Sequence, residues 1–178
     1  MRTLQEISED CDTDKGTEHT YIEVYEELFS KIRHEPISIL EIGVLDDGSM
    51  RMWNEYFDND DVSMTGMDID TEVKSEYAEM FYGDQAVVDL SNLRFDLIID
   101  DGNHSKDSNV KTYHNLIGCL KPEGIYVIED VDKCPFHVAY LEKHGFYIVD
   151  MSDRGLDGNG YTGRYDNVLA ILDTRTTS

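Results

Sequence analysis

The sequence predicts a single doubly wound α/β domain, built on a seven-stranded, mostly parallel sheet with an antiparallel hairpin at its C-terminal edge. Three observations carry that expectation. Short apolar runs at residues 37–42, 62–70, 95–99 and 125–128 alternate with stretches of helical period. Each run ends in carboxylates instead of further apolar residues. The last two runs, 146–149 and 167–172, are joined only by a link that holds glycines from Gly155 to Gly163, a pattern expected of antiparallel neighbours.

The elements follow in order. The first 17 residues are polar and read as an arm or loop, which sets the division into an arm, 1–19, and a domain, 20–178. From 20 to 34, Tyr21, Val24, Tyr25, Leu28, Phe29 and Ile32 recur at three- and four-residue steps, an amphipathic helix that Pro36 stops. After the first strand, Gly43 and Gly48 bracket a turn. Ser49 is placed to cap a helix with Met50, Trp53, Tyr56 and Phe57 on one face. Thr71 is placed to cap a short helix behind the second strand, and a weak strand precedes Gly83. A helix over 106–120 follows the strand at 95–99 and stops at Pro122-Glu123-Gly124. Another over 136–144 ends at Gly145, a residue suited to the left-handed turn after a helix.

Composition bounds the function. A chain of 178 residues supports one well-buried core but not two comfortable domains. It has no run near the roughly 18 apolar residues of a spanning helix, and no apolar segment of signal-peptide type at its start, so a cytoplasmic protein without a membrane partner is expected. Cys11, Cys119 and Cys134 are too widely spaced for a metal-ligand pair or a disulfide framework. A formal charge of −23 repels phosphate backbones and argues against a nucleic-acid partner. That acidity serves solubility, salt adaptation, or a divalent cation on which some carboxylates converge.

Their positions favour a site. In open α/β sheets, ligands bind beyond the carboxyl ends of the strands. Those ends carry Glu41, Asp68 with Asp70, Asp84, Asp100 with Asp101, and Glu129 with Asp130. Burying so many carboxylates without purpose would be prohibitive. Gly43 lets backbone approach a ligand closely, and the helix start behind Gly48 and Ser49 offers free N–H groups to an anion. Asp68, twenty positions after Gly48, is spaced to accept hydrogen bonds from ribose hydroxyls.

The segment Leu40-Glu41-Ile42-Gly43-Val44-Leu45-Asp46-Asp47-Gly48-Ser49 resembles motif I of class I S-adenosylmethionine-dependent methyltransferases. Phe81-Tyr82-Gly83-Asp84-Gln85 resembles their adenine-binding stretch. Phe95 to His104 and Gly124 to Asp130 together resemble the metal-dependent O-methyltransferases of macrolide sugars. They are also similar to sequences grouped as cephalosporin hydroxylases or rhamnosyl O-methyltransferases. Thr13-Asp14-Lys15-Gly16 with His19 and Tyr21, Ser49-Met50-Arg51-Met52-Trp53 and Gly66-Met67-Asp68-Ile69-Asp70 add to the match.

The resemblance implies a Rossmann-like class I methyltransferase domain. It also implies a cofactor set of Glu41, Gly43, Gly48, Ser49, Asp68, Asp84, Gln85 and Asp100. It makes Asp101, Glu129 and Asp130 magnesium ligands and His104 the general base, with Asp101 and His104 the catalytic pair. The chemistry is consistent: magnesium takes hard oxygen ligands, lowers the pKa of a bound hydroxyl, and lets a neutral histidine remove the proton. The acceptor implied is a small molecule or glycan. Its pocket is either open, completed by a second copy in a homo-oligomer, or built for a large glycan, with the N-terminal arm and the 155–163 loop as candidate lids. The rival readings are a metal-independent small-molecule methyltransferase and a catalytically silent cofactor-binding module. The other five histidines, His19, His34, His114, His137 and His144, read as structural or exposed.

Overall fold

Strands β1 (Ser38–Ile42), β2 (Ser63–Asp68), β3 (Glu79–Tyr82), β4 (Phe95–Asp100), β5 (Leu120–Ile128), β6 (Tyr147–Asp150) and β7 (Val168–Asp173) form one sheet in a computed structural model that describes residues 1–154 and 166–177. Their order is β3-β2-β1-β4-β5-β7-β6. The first five run parallel, while β7 pairs antiparallel with both β5 and β6. The chain thus has the seven-stranded mixed sheet that its sequence predicts. The glycine-containing link lies outside the described residues.

Period-two alternation divides the core between the two faces of the sheet. Ile39, Leu97, Ile99, Val127, Leu169 and Ile171 pack on one face with Tyr25 and Phe29 of α2 (Ile22–Phe29) and Trp53 of α3 (Gly48–Tyr56). Leu40, Ile42, Ile98, Tyr126, Ile128 and Ala170 pack on the other with Tyr113 and Leu116 of α4 (Lys106–Leu116) and Leu141 of α5 (Pro135–Lys143). Because β1, β4 and β5 are covered on both sides, their apolar runs are nearly continuous.

Four local expectations are corrected. The polar N-terminus is not a loop: α1 (Leu4–Ser8) is closed by a capping box of Thr3 and Glu6, and Leu4 and Ile7 are buried in the main core. Ser49 does not cap α3. Asp47 holds that position with φ +68° and no capping bond, its Oδ2 accepting from the Glu76 N–H instead. No helix follows Thr71, because Asp70 turns the chain by accepting from Glu72 N. Finally, α4 ends at Leu116 and tightens into a 3-10 turn (Ile117–Cys119), so β5 starts at Leu120, well before Ile125.

Candidate active site

Register brings the carboxylates together. Ile42 pairs with Met67 and Asp100, and Asp100 pairs with Ile128, so β2, β1, β4 and β5 end side by side. Pairing continues one residue further: Gly43 N donates to Met67 O, Asp101 N to Ile42 O, and Glu129 N to Asp100 O. Asp101 and Glu129 are therefore neighbours at the tips of adjacent strands. A cleft of about 1000 Å³ opens over these tips, lined by Lys15, Gly43, Asp68, Asp84, Asp101, His104 and Asp130 among others. Its size suits a cofactor together with part of an acceptor.

One half of the cleft is formed by the β1, β2 and β3 ends. Asp68 Oδ2 accepts from Val44 N and Leu45 N at 3.0 and 3.3 Å, and Oδ1 accepts from Asp70 N. The half-buried carboxylate thus fixes the loop after β1 and borders the cleft. Asp84, Gln85 and Ser49 also line it. Gln85 is committed: its Nε2 donates to Asp100 and Thr112, and its Oε1 accepts from Asn103 N. Asp100 lies fully buried behind the wall, where burial pushes its carboxyl up to about 7 against bonds from Gly102, Asn109 and Gln85. Glu41 is also behind the wall, fully buried, accepting from Trp53 Nε1 at 2.8 Å. Gly48 serves packing, since a Cβ there would meet the Asp12 carbonyl oxygen at 1.9 Å. Neither Glu41, Gly48 nor Asp100 faces the cleft.

The other half is formed by the β4 and β5 ends. Ligand atoms of Asp101, His104 and Asp130 lie within 4.8 Å of one another. His104 Nε2 is 3.7 Å from Asp130 Oδ2, and its side chain is exposed to the cleft. Asp130 sits at φ +53°, a costly conformation for a non-glycine residue and one found at functional sites. Its Oδ1 accepts from the Tyr21 hydroxyl at 2.5 Å. Burial raises the Asp130 carboxyl, while Tyr21 and the two nearby histidines, His19 and His104, oppose the rise. Glu129 lies deeper, with Oε1 accepting from Lys15 Nζ at 2.8 Å and from the Tyr25 hydroxyl at 2.5 Å. It is not in the Asp101–His104–Asp130 group.

Sequence reasoning named Lys15 and His19 within a matching run but not the groups that they meet. Lys15 is only 1% exposed and its ammonium stands among Asp101, Glu129 and Glu41. Burial alone would lower its pKa, but the three carboxylates, Asp101 foremost, hold it well above the ordinary lysine value. His19 is buried, stacked on Tyr21, with Nδ1 3.4 Å from Asp130 Oδ1. The signal for both was the run from Thr13 to Tyr21, whose polar residues concealed an inward-facing element.

A cleft at the carboxyl ends of a β3-β2-β1-β4-β5-β7-β6 sheet defines a class I, Rossmann-like methyltransferase domain. Within that class the chain is related to the O-methyltransferases of macrolide and rhamnosyl sugars. No family model matches it. It is 36% identical over 138 residues to 8-demethyl-8-alpha-L-rhamnosyl tetracenomycin-C 2'-O-methyltransferase of Streptomyces olivaceus, covering 67% of this chain and 35% of that protein. It is 31% identical to demethylmacrocin O-methyltransferase of Streptomyces fradiae, over 65% of this chain and 33% of that protein. The MycE methyltransferase of the mycinamycin biosynthetic pathway, solved with Mg, SAH and mycinamycin VI, aligns with a TM-score of 0.66 and 28% identity. That alignment covers 76% of this chain and 42% of the MycE chain. The chain thus spans about a third of the length of the curated relatives it matches. No helix among the described residues is long and apolar enough to cross a membrane.

Proposed function

We propose that the chain transfers a methyl group from S-adenosylmethionine to a hydroxyl of a sugar or glycan-like acceptor, with a magnesium ion at Asp101 and Asp130 and with His104 as general base. One observation carries this reading: Asp101, His104 and Asp130 converge on a single point of the cleft that Gly43 and Asp68 also line. Magnesium prefers oxygen donors, so the two carboxylates suit it and the imidazole is left for the proton. Glu129, the third carboxylate of the expected set, stands deeper, its Oε1 held by Lys15 and Tyr25.

The division of labour follows from position. Asp68 borders the cofactor half and receives ribose hydroxyls, while Ser49, Asp84 and Gln85 complete that wall. When bound, magnesium lowers the pKa of the acceptor hydroxyl and S-adenosylmethionine supplies the electrophilic methyl. His104, half-exposed and beside Asp130, takes the hydroxyl proton at Nε2, and the carboxylate stabilises the imidazolium that forms. Residues 1–19 form the arm of domain 20–178, and Asp14 and Lys15 bring it to the cleft, where it covers the cofactor or acceptor. We further place the protein in the cytoplasm, acting on a small or glycan acceptor and as a homo-oligomer where a second copy covers the open cleft.

A specific observation favours a second reading without metal. Lys15 already supplies a cation to Asp101 and Glu129, so His104 would act alone. Calorimetry with S-adenosylhomocysteine, and methyl transfer to rhamnosyl or macrolide glycosides with and without chelator, test both readings. Binding of NAD in place of S-adenosylhomocysteine would overturn them.

A further inference from the structure

We propose that Lys15 is a positioning residue, a tethered cation that orients Asp101 and Glu129 from below and keeps the divalent ion of the site loosely held. The inference rests on the reading that such an ion binds at Asp101. The geometry is that of a built-in centre. Lys15 Nζ lies 2.5 Å from Asp101 Oδ2, 2.8 Å from Glu129 Oε1 and 3.4 Å from Glu41 Oε1, drawing in the tips of β4, β5 and β1. Its backbone is fixed as well. Thr13 caps the 3-10 turn (Asp14–Gly16) that carries it, and the Asp12 carbonyl presses against Gly48 so closely that no side chain fits there. Tyr25 and Trp53 hold the far sides of Glu129 and Glu41.

Two consequences follow for an ion at Asp101. With Oδ2 bound to the ammonium, Oδ1 is the Asp101 oxygen left to offer an ion. The ion also shares that carboxylate with a fixed positive charge that cannot diffuse away, and like charges at such range repel strongly in a partly buried site. A merely structural lysine would predict weaker ion binding on removal, because the carboxylates would lose their arrangement. A competing cation predicts the reverse.

The full chain carrying Lys15→Met is compared with wild type by thermal melting, S-adenosylhomocysteine calorimetry and Mn2+ titration followed by electron paramagnetic resonance. The expected result is Mn2+ affinity raised at least about tenfold, with S-adenosylhomocysteine affinity within about twofold. Where Lys15→Met does not fold, Lys15→Met/Glu41→Gln removes one charge of each sign and carries the same expectation. Unchanged or weaker Mn2+ binding by a folded variant overturns the role of Lys15 alone. Absence of Mn2+ binding by wild type and variant alike removes the divalent ion, and this proposal with it.

Discussion

A Cβ on Gly43 would lie 2.2 Å from the carbonyl oxygen of Asp101, so the end of β1 touches the residue that begins the candidate metal site. Gly43 also sits at φ +82°, where a side chain is strained even in open space. Gly43→Ala therefore meets a backbone atom that cannot move without displacing Asp101. The expected cost is about 2–4 kcal/mol of stability, combining backbone strain with overpacking. Chemical denaturation reads it directly. A variant as stable as wild type would show that the β1 and β4 ends are not tightly coupled.

Asp68 links the loop after β1 to the cofactor half through its bonds to Val44 and Leu45 N–H. Asp68→Ala should weaken S-adenosylhomocysteine binding by about 1–3 kcal/mol, the range for losing hydrogen bonds to a charged group. Calorimetry at constant salt measures it. Affinity equal to wild type would leave Asp68 as a loop anchor with no ligand role.

The fold was legible where periodicity was strong. The four central apolar runs became strands and helical spacing marked α2 and α3, because burial on both sheet faces imposes those patterns, while α4 and α5 were marked by their stop signals at Pro122 and Gly145. The N-terminus was misread because α1 is short and buries only a few apolar residues, too few for a clear period. Thr71 failed because an acceptable capping residue does not make a helix when Asp70 already closes a turn. At the site, strand-end position identified the carboxylates but not their depth. Glu41 on β1 and Asp100 on β4 stand at the same edge of the sheet as Asp101, yet their side chains meet Trp53 and Gln85 instead of the cleft. The partners of Lys15 were out of reach because they lie 26, 86 and 114 positions away in the chain.

At the other end of the sheet, Asp96 ties β4 to β1 and β5 by accepting from Ser38 N and Lys121 Nζ, both at 2.8 Å. Partial burial alone would raise its pKa, but the bonds from Lys121 and Ser38 hold it below the usual carboxylate value. A carboxyl depressed in the folded state adds stability above its unfolded value of about 3.9 and loses it as pH falls through the folded one. Asp96→Asn should thus be less stable at pH 7, by about 1 kcal/mol after allowance for solvent screening. The difference should close as pH falls below about 4. Urea denaturation from pH 7 to pH 3 follows it, and a gap that stays constant would mean that packing, not charge, is lost.

The divalent ion separates the two proposed mechanisms. Asp101 and Asp130 project from adjacent strand tips, with Asp130 in a strained conformation that brings it beside His104. Burial first, and then the Asp101 charge, raise the Glu129 carboxyl against Lys15 and Tyr25, and Asp101, Glu129 and Asp130 outnumber the one lysine among them. An added cation would relieve that excess. Methyl transfer to a glycoside acceptor should accordingly stop in chelator and return with magnesium. Asp101→Asn should lose metal-dependent turnover yet keep S-adenosylhomocysteine affinity, because the cofactor half is built from the β1, β2 and β3 ends. His104→Ala should retain both ligands and slow turnover by roughly 10²–10⁴-fold, the range for a lost general base. Full activity in chelator, with Asp101→Asn as active as wild type, would exclude the ion and leave Lys15 as the resident cation of a metal-independent enzyme.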